Sequence, residues 1–262
     1  MWSAISSGTG WGVALAGPVA IVAGDRWRWA WAAFVLVAVA VGVAATLLAP
    51  AHEERALRRP QLSPSWFFCP RSRPLLVSAV LVGLGSSVWW VFSVEAMQEG
   101  GLPAAQSMVV YAVCGTACLL GSLSGFVFER LGLRAGYLGS AVLLAAAPGV
   151  LAAAPGHLVA ALAAAALFGA SYASVIAAHG VWSAQVFDQH PAAGLAAVST
   201  ALTIGILLGS AAAGVLVGHG GHPLALGVAA AVTAAAVPFC PPDARRRAVL
   251  ADHHCTAAPV RP

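Results

Sequence analysis

The chain contains no lysine and few charged residues of any kind. Charged side chains make up 8% of its 262 residues, whereas a typical soluble domain carries about 25%. Hydrophobic residues make up 60%, and the mean hydropathy is +0.86. A soluble domain of this length cannot cover so much apolar surface. The composition therefore excludes an ordinary soluble domain and predicts an integral membrane protein.

Signatures of processing and of catalysis are also missing. The N-terminal stretch MWSAISSGTG lacks the basic region of a signal peptide, so we interpret the apolar run after it as a spanning helix. The sequence has no phosphate-binding loop with lysine, no Ser–His–Asp set and no cluster of metal ligands at one membrane depth. We therefore expect no enzyme activity, no cofactor and no metal. The net charge of +4 is spread over loops, which argues against nucleic-acid binding.

Eight apolar segments have about the length that crosses a ~30 Å hydrocarbon core, which is ~20 residues. None alternates apolar with polar residues as the strand of a β-barrel would, so the predicted fold class is an all-α polytopic membrane protein. The segments are separated by turn or charge signals. The predicted spans are 3–23, 29–49, 74–95, 105–128, 135–154, 158–179, 192–217 and 223–239.

Arginine placement predicts the orientation of these spans. Only Arg26 and Arg28 fall on loops of one side, and the other eleven arginines fall on the opposite side. Because cytoplasmic loops retain positive charge, we expect the loops at 50–73, 129–134 and 180–191 and the C-terminus to be cytoplasmic. An even number of spans places the N-terminus there as well. The tail sequence DHHC at 252–255 follows the last span, and we interpret it as part of a disordered end.

A charged cluster, GFVFERLGLRAGY at 125–137, interrupts the apolar part of the chain. It resembles the signature of the major facilitator superfamily, Gly-x-x-x-Asp-Arg-x-Gly-Arg-Arg, which lies in the cytoplasmic loop between the second and third helices of each six-helix half. Glu129 replaces the usual aspartate, and Leu133 stands where a basic residue is common. The matching gating motif comprises Gly125, Glu129, Arg130, Gly132 and Arg134.

The resemblance implies part of the twelve-helix major facilitator fold. Residues 1–49 resemble the last two helices of the N-terminal bundle, and 50–73 resemble the cytoplasmic central loop. Residues 74–239 resemble the complete six-helix C-terminal bundle, and 240–262 form a cytoplasmic tail. The family's first four helices are absent, which we interpret as a mis-called start codon or a truncated gene.

The same resemblance implies a function and a location. It implies secondary active transport of an unidentified small solute by alternating access, in a bacterial inner membrane. Its expected partners are the solute, the lipid bilayer and a coupling proton. The alternative is a membrane protein that only binds or senses a ligand, or an inactive remnant.

The motif has two interpretations. Glu129 ends a helix, where the helix dipole disfavours an anion, so it needs a partner such as Arg130 or Arg134. By resemblance, it acts as a latch that engages another helix end, here the one opening at Pro191, with Asp188 as a competitor for the arginine. Alternatively, the arginines only anchor the loop in the cytoplasm.

Six glycines of the bundle form three pairs that suggest close helix packing. Gly121 and Gly125 form a pair of small residues four apart, as do Gly205 and Gly209. Such pairs let helices approach closely in membranes. Gly214 and Gly218 form a third pair with the same interpretation, while Gly132 suits a tight turn.

Candidates for a substrate or proton site lie on helices that, by resemblance, line the central cavity. An ionisable group inside a span is a functional candidate by default, so Glu95 is either a coupling carboxylate or an acid at the outer interface. His179 is predicted at the cytoplasmic edge, where a solvated or capping role is expected over a proton cycle. Hydroxyls such as that of Thr203 commonly bond their own helix. The candidate residues are Trp90, Phe92, Glu95, Tyr111, Tyr172 and Thr203.

Overall fold

The computed structural model describes residues 12–13, 15, 18–19, 22–48 and 70–243, and this part of the chain contains helices and turns but no strand. The α-helices of the described residues are α1 (Trp27–Leu48), α2 (Arg73–Glu99), α3 (Ala104–Cys118), α4 (Ser124–Leu131), α5 (Leu133–Ala153), α6 (Leu158–Val186) and α7 (Pro191–Ala234). A short 3₁₀ turn, Leu119–Leu123, joins α3 to α4, and another, Gly24–Arg26, precedes α1.

Six helical stretches of the described chain are long and apolar enough to cross a membrane. In this count α3, its 3₁₀ turn and α4 form one stretch, Ala104–Leu131, and α7 counts once. The all-α class is thus confirmed for the described residues, and the six apolar stretches have the length and composition that a multi-pass membrane protein needs. The number of eight spans stays a prediction. Most of 3–23 lies outside the described residues, and α7 contains the whole of 192–217 and most of 223–239, which ends five residues beyond α7.

Helix α7 is long enough to cross twice, because its 44 residues would extend about 66 Å if straight. It bends at Gly221, whose φ is +72°, a conformation that favours glycine. The arm before the bend, 191–220, runs parallel to α2: Gly205 lies against Val80, and Gly209 against Leu84.

The second arm of α7, 222–234, runs antiparallel to α2. Its first residue, His222, contacts Glu99 at the end of α2, whereas Thr233 and Ala229 lie against Gly85 further back along α2. The chain therefore reverses direction at Gly221, and α2 packs between the two arms.

The connections between helices collect at two ends of this bundle. At one end, which we call the arginine end, Arg71 donates to the Gln185 carbonyl and Arg134 pairs with Asp243. All arginines of 70–243 lie at this end: Arg71, Arg73, Arg130 and Arg134. At the opposite end the loop at Gly100 packs on that at Gly156. The described residues of the loops that the sequence assigned to one side thus lie together.

Close packing of small residues holds the helices together, but only at some of the predicted positions. A Cβ atom added at Gly205 or Gly209 would overlap backbone atoms of α2, so this pair is confirmed as a packing site. The prediction for Gly214 and Gly218 is wrong, because both are exposed and a Cβ there would meet nothing within 4 Å. Identical spacing on one helix therefore has different consequences on its two faces.

Helix α6 is longer than the predicted span 158–179 and continues to Val186. The added turns are buried: Trp182 and Ser183 are each 1% exposed. In the core, Trp89 of α2 stacks on Phe168 of α6 with ring centroids 4.5 Å apart. Burying such aromatic pairs contributes packing energy beyond their area.

Candidate functional site

The gating motif forms the turn between α4 and α5. Gly132 adopts φ +84° and donates its N–H to the Phe128 carbonyl at 3.0 Å, which ends α4. A residue with a Cβ is strained at this φ, so the predicted role of Gly132 in a tight turn is confirmed. The turn lies at the arginine end of the bundle.

The charged side chains of the motif do not pair with one another. Glu129 is exposed, and among the described residues its carboxylate has no ion pair. Arg130 lies over the ring of Phe126, 4.6 Å from its centroid, and Arg134 bonds Asp243 at 2.8 Å. The expectation that either arginine would neutralise Glu129 is therefore wrong for this conformation.

Asp188 does not compete for the motif either. It is exposed, and its carboxylate accepts the backbone N–H of Gln189 at 2.9 Å, just before α7 begins at Pro191. The partner of Arg134 is instead Asp243, which follows the last helical turn. Sequence reasoning missed this residue because it treated everything after 239 as a disordered tail.

Gly121 and Gly125, the predicted packing pair, have different surroundings. A Cβ at Gly121 would overlap Ala173 of α6, so close approach is confirmed there, but a Cβ at Gly125 would meet nothing within 4 Å. Gly125 is exposed on α4. Its predicted packing role is wrong, because no neighbour among the described residues requires a glycine at this position.

A cavity of about 220 Å³ opens at the arginine end. Two of its lining residues are joined by a hydrogen bond, in which the Arg71 guanidinium donates to the Gln185 carbonyl oxygen at 2.6 Å. Arg134, Trp182 and Pro242 also line it. The chain after α7 thus reaches the motif at Arg134, through Asp243.

The Arg134–Asp243 pair is expected to contribute little stability. Its side chains are 39% and 54% exposed, and exposed pairs contribute about 0–1 kcal/mol because water and salt screen them. Asp243→Asn should therefore lower the free energy of unfolding by less than about 1 kcal/mol, measured by denaturant titration in micelles. The difference should shrink further in high salt. A larger, salt-independent loss would contradict this assignment.

Three of the candidate substrate residues meet in one aromatic cluster. Trp90 of α2 lies edge-on to Tyr111 of α3, with centroids 6.2 Å apart, and edge-on to Tyr172 of α6 at 5.3 Å. Phe168 stacks on Tyr172 at 5.6 Å. Trp90 and Tyr111 are half-buried. The cluster therefore presents aromatic rings of three helices toward one face of the bundle.

The remaining candidates lie elsewhere. Phe92 and Glu95 meet His222 near the opposite end, with the Phe92 and His222 rings 5.9 Å apart. Thr203 is exposed on α7, and its hydroxyl donates to the Ser199 carbonyl at 2.8 Å, as expected for a helical hydroxyl. The six residues thus occupy three places rather than one site.

A buried polar network was missed by sequence reasoning. His179 is 1% exposed, so its predicted solvated role is wrong. Its Nε2 lies 2.8 Å from Ser78 Oγ, which lies 2.6 Å from the Tyr137 hydroxyl. The Tyr137 hydroxyl donates to the Ala236 carbonyl at 3.1 Å. Only the polar character of these side chains inside apolar segments signalled them.

The direction of each hydrogen bond in this network follows from its last acceptor. Because the single proton of Tyr137 goes to the Ala236 carbonyl, Ser78 must donate to Tyr137, and His179 Nε2–H must donate to Ser78. The Nδ1 atom of His179 is buried, and no residue in the described part of the chain forms a hydrogen bond with it. The network therefore ends in one unpartnered ring nitrogen.

In comparisons with known proteins, no family model matches this chain, and no curated protein is significantly similar to it.

Proposed function

We propose that the protein is a secondary transporter of the major facilitator type that moves an unidentified small solute by alternating access. One observation supports this most directly. Residues 125–134, with the pattern Gly-x-x-x-Glu-Arg-x-Gly-x-Arg, include the turn between α4 and α5. Counted from α2, this turn joins the second and third helical stretches of the bundle, and successive connections of the bundle lie at opposite ends. This is the place that the family's motif occupies.

The membrane frame of this proposal follows from the arginines. Since cytoplasmic loops retain positive charge, the arginine end faces the cytoplasm of a bacterial inner membrane. The two arms of α7 then cross separately, which fits the predicted total of eight spans. Both termini are cytoplasmic in this frame.

The aromatic cluster is the proposed wall of the solute site. Trp90, Tyr111 and Tyr172 belong to α2, α3 and α6, which correspond to cavity-lining helices of the family. Ring faces with few polar partners suit a small, weakly polar solute. For the coupling proton, His179 is the favoured carrier, because it is buried with a free acceptor nitrogen, whereas Glu95 is exposed.

Cysteine accessibility tests alternating access without knowledge of the solute. The background is a chain with Cys69, Cys240 and Cys255 changed to serine. Thr203→Cys is introduced into it, and sealed vesicles that contain this variant are treated with a membrane-impermeant maleimide. Thr203 lies about three turns into α7 from Pro191, so labelling there requires a water-filled cavity. Labelling from both sides of the membrane is the expected result.

The matched control is Val142→Cys on α5, which is also exposed in the bundle but corresponds to a peripheral, lipid-facing helix of the family. It should remain unlabelled from both sides. Labelling of Thr203→Cys from one side only would instead support the alternative, a membrane protein that binds or senses a ligand without transporting it.

The latch is tested by Glu129→Gln in the same background. The exposed carboxylate at the end of α4 has no ion pair with any residue that the structure describes, so the latch proposal assigns its interaction to the other conformation. Neutralising it should shift the ratio of labelling from the two sides about fivefold, a coupling of about 1 kcal/mol. Asp188→Asn is the control. An unchanged ratio would refute the latch and leave the anchor role.

A further inference from the structure

A second polar cluster lies at the end of the bundle opposite the arginines. Glu95 and Glu99 lie four residues apart in the last turns of α2, so they share one face. His222, the first residue after the bend of α7, faces both of them. The carboxylate side chains are 66% and 64% exposed, whereas the imidazole is only 6% exposed.

The two nitrogens of His222 have different surroundings. Nδ1 donates its proton to Glu99 Oε2. When the ring is neutral it has only one N–H, so Nε2 then presents a lone pair. Nε2 is buried, no described residue forms a hydrogen bond with it, and it faces Glu95 Oε2 at a distance of 3.6 Å. A nitrogen lone pair and a carboxylate oxygen therefore face each other across a gap too long for a hydrogen bond.

That gap matches the separation of two ligands of one metal ion. Ligands about 2.1 Å from a tetrahedral zinc ion lie about 3.4 Å apart, whereas neighbouring ligands of an octahedral ion with the same bond length lie about 3.0 Å apart. The observed 3.6 Å is nearer to the tetrahedral value. Imidazole nitrogen with carboxylate oxygen is also a donor set that suits zinc rather than magnesium or calcium.

Glu99 has the position of a supporting carboxylate. Metal-binding histidines commonly donate their second N–H to a carboxylate, which fixes the tautomer and the ring orientation. The contact of His222 Nδ1 with Glu99 does this before any ion binds. The negative end of the α2 dipole adds to the attraction for a cation.

We propose that Glu95 and His222 bind a divalent cation of the zinc class, with Glu99 positioning the imidazole. No group of three or more His, Cys, Asp or Glu side chains is arranged to hold a metal in the described part of the chain. The site therefore has two protein donors, and water fills the remaining coordination positions through the exposed side of Glu95. The proposal is independent of transport.

The experiment titrates Zn²⁺ into the purified full chain in detergent micelles by calorimetry. His253→Ala and His254→Ala are introduced into every variant, because the tail histidines are potential zinc ligands of their own. We expect one zinc ion per chain, and a tenfold excess of Mg²⁺ should not displace it. If the chain that carries only His253→Ala and His254→Ala binds no zinc, the proposal is overturned.

Substitutions then separate the roles. Glu95→Gln and His222→Gln should each weaken zinc binding at least tenfold, and Glu99→Gln should weaken it about 10- to 100-fold through the ring orientation. Glu95→Gln changes an exposed side chain, so its result does not depend on refolding of the core. The controls are Glu129→Gln at the arginine end and His219→Gln nearby, which should bind zinc as the parent chain does.

A spectroscopic measurement checks the ligand itself. Cu²⁺ bound in place of zinc should show electron paramagnetic resonance splitting from one imidazole nitrogen, and His222→Gln should remove it. Zinc affinity that is unchanged in Glu95→Gln, or splitting that persists in His222→Gln, would overturn the site. Either failure would leave the proposed transport untouched, because that is tested by the labelling of Thr203→Cys.

Discussion

Gly205→Leu is expected to lower the free energy of unfolding by about 3 kcal/mol or more, because overpacking against rigid backbone is costly. A Cβ at Gly205 would overlap the Val80 carbonyl oxygen and lie 3.0 Å from the Leu84 nitrogen. Neither backbone atom can move without displacing α2, which packs between both arms of α7. Denaturant titration in mixed micelles measures the loss.

Gly214→Leu on the same helix is the matched control. Its Cβ would meet nothing within 4 Å, and both substitutions gain the same helix propensity, up to about 1 kcal/mol. The control should therefore be neutral or slightly stabilising. Equal losses at Gly205 and Gly214 would show that the close contact of α2 with α7 does not limit stability.

The long apolar helices could be predicted from the sequence, because helices that cross a bilayer have a characteristic length. Hydropathy located α1, α2 and α5 to within a few residues, and the arginines of 70–243 lie at one end of the bundle, as their placement predicted. The end of α6 was missed because packing against neighbouring helices extends it beyond the apolar segment. Trp182 is buried by protein rather than by lipid.

The buried polar contacts could not be predicted, because sequence spacing defines neighbours only along one helix. Glu95 and Glu99 were recognisable as a pair four residues apart, but His222 reaches them only after the chain reverses at Gly221. The two glycine pairs of α7 have the same spacing and opposite surroundings. Which face of a helix meets a neighbour is decided by tertiary packing, which the pattern of small residues does not encode.

The buried network leads to the second large effect, expected for Tyr137→Phe. The substitution removes one hydroxyl and breaks two hydrogen bonds. Ser78 loses its acceptor, whereas the Ala236 carbonyl keeps the N–H of Phe239 at 3.0 Å and loses only its second donor. Hydrogen bonds between membrane helices average about 0.6 kcal/mol, whereas a buried group left unpaired costs about 1–3 kcal/mol. The Ser78 hydroxyl is fully buried and is left without this acceptor, so the expected loss of unfolding free energy is about 2 kcal/mol.

Tyr111→Phe is the control for this prediction, because the Tyr111 hydroxyl makes no hydrogen bond among the contacts of the described residues. It should change stability by less than about 0.5 kcal/mol.

The network also predicts that the effects of two substitutions are coupled. In the Tyr137→Phe background, His179→Leu should lower the free energy of unfolding by less than it does in the parent chain, because Ser78 has already lost its hydrogen bond to Tyr137. Strictly additive losses in this double-mutant cycle would contradict a connected network and reduce it to separate contacts. A non-additive result would establish that three helices and the chain after α7 share one polar unit inside the bundle.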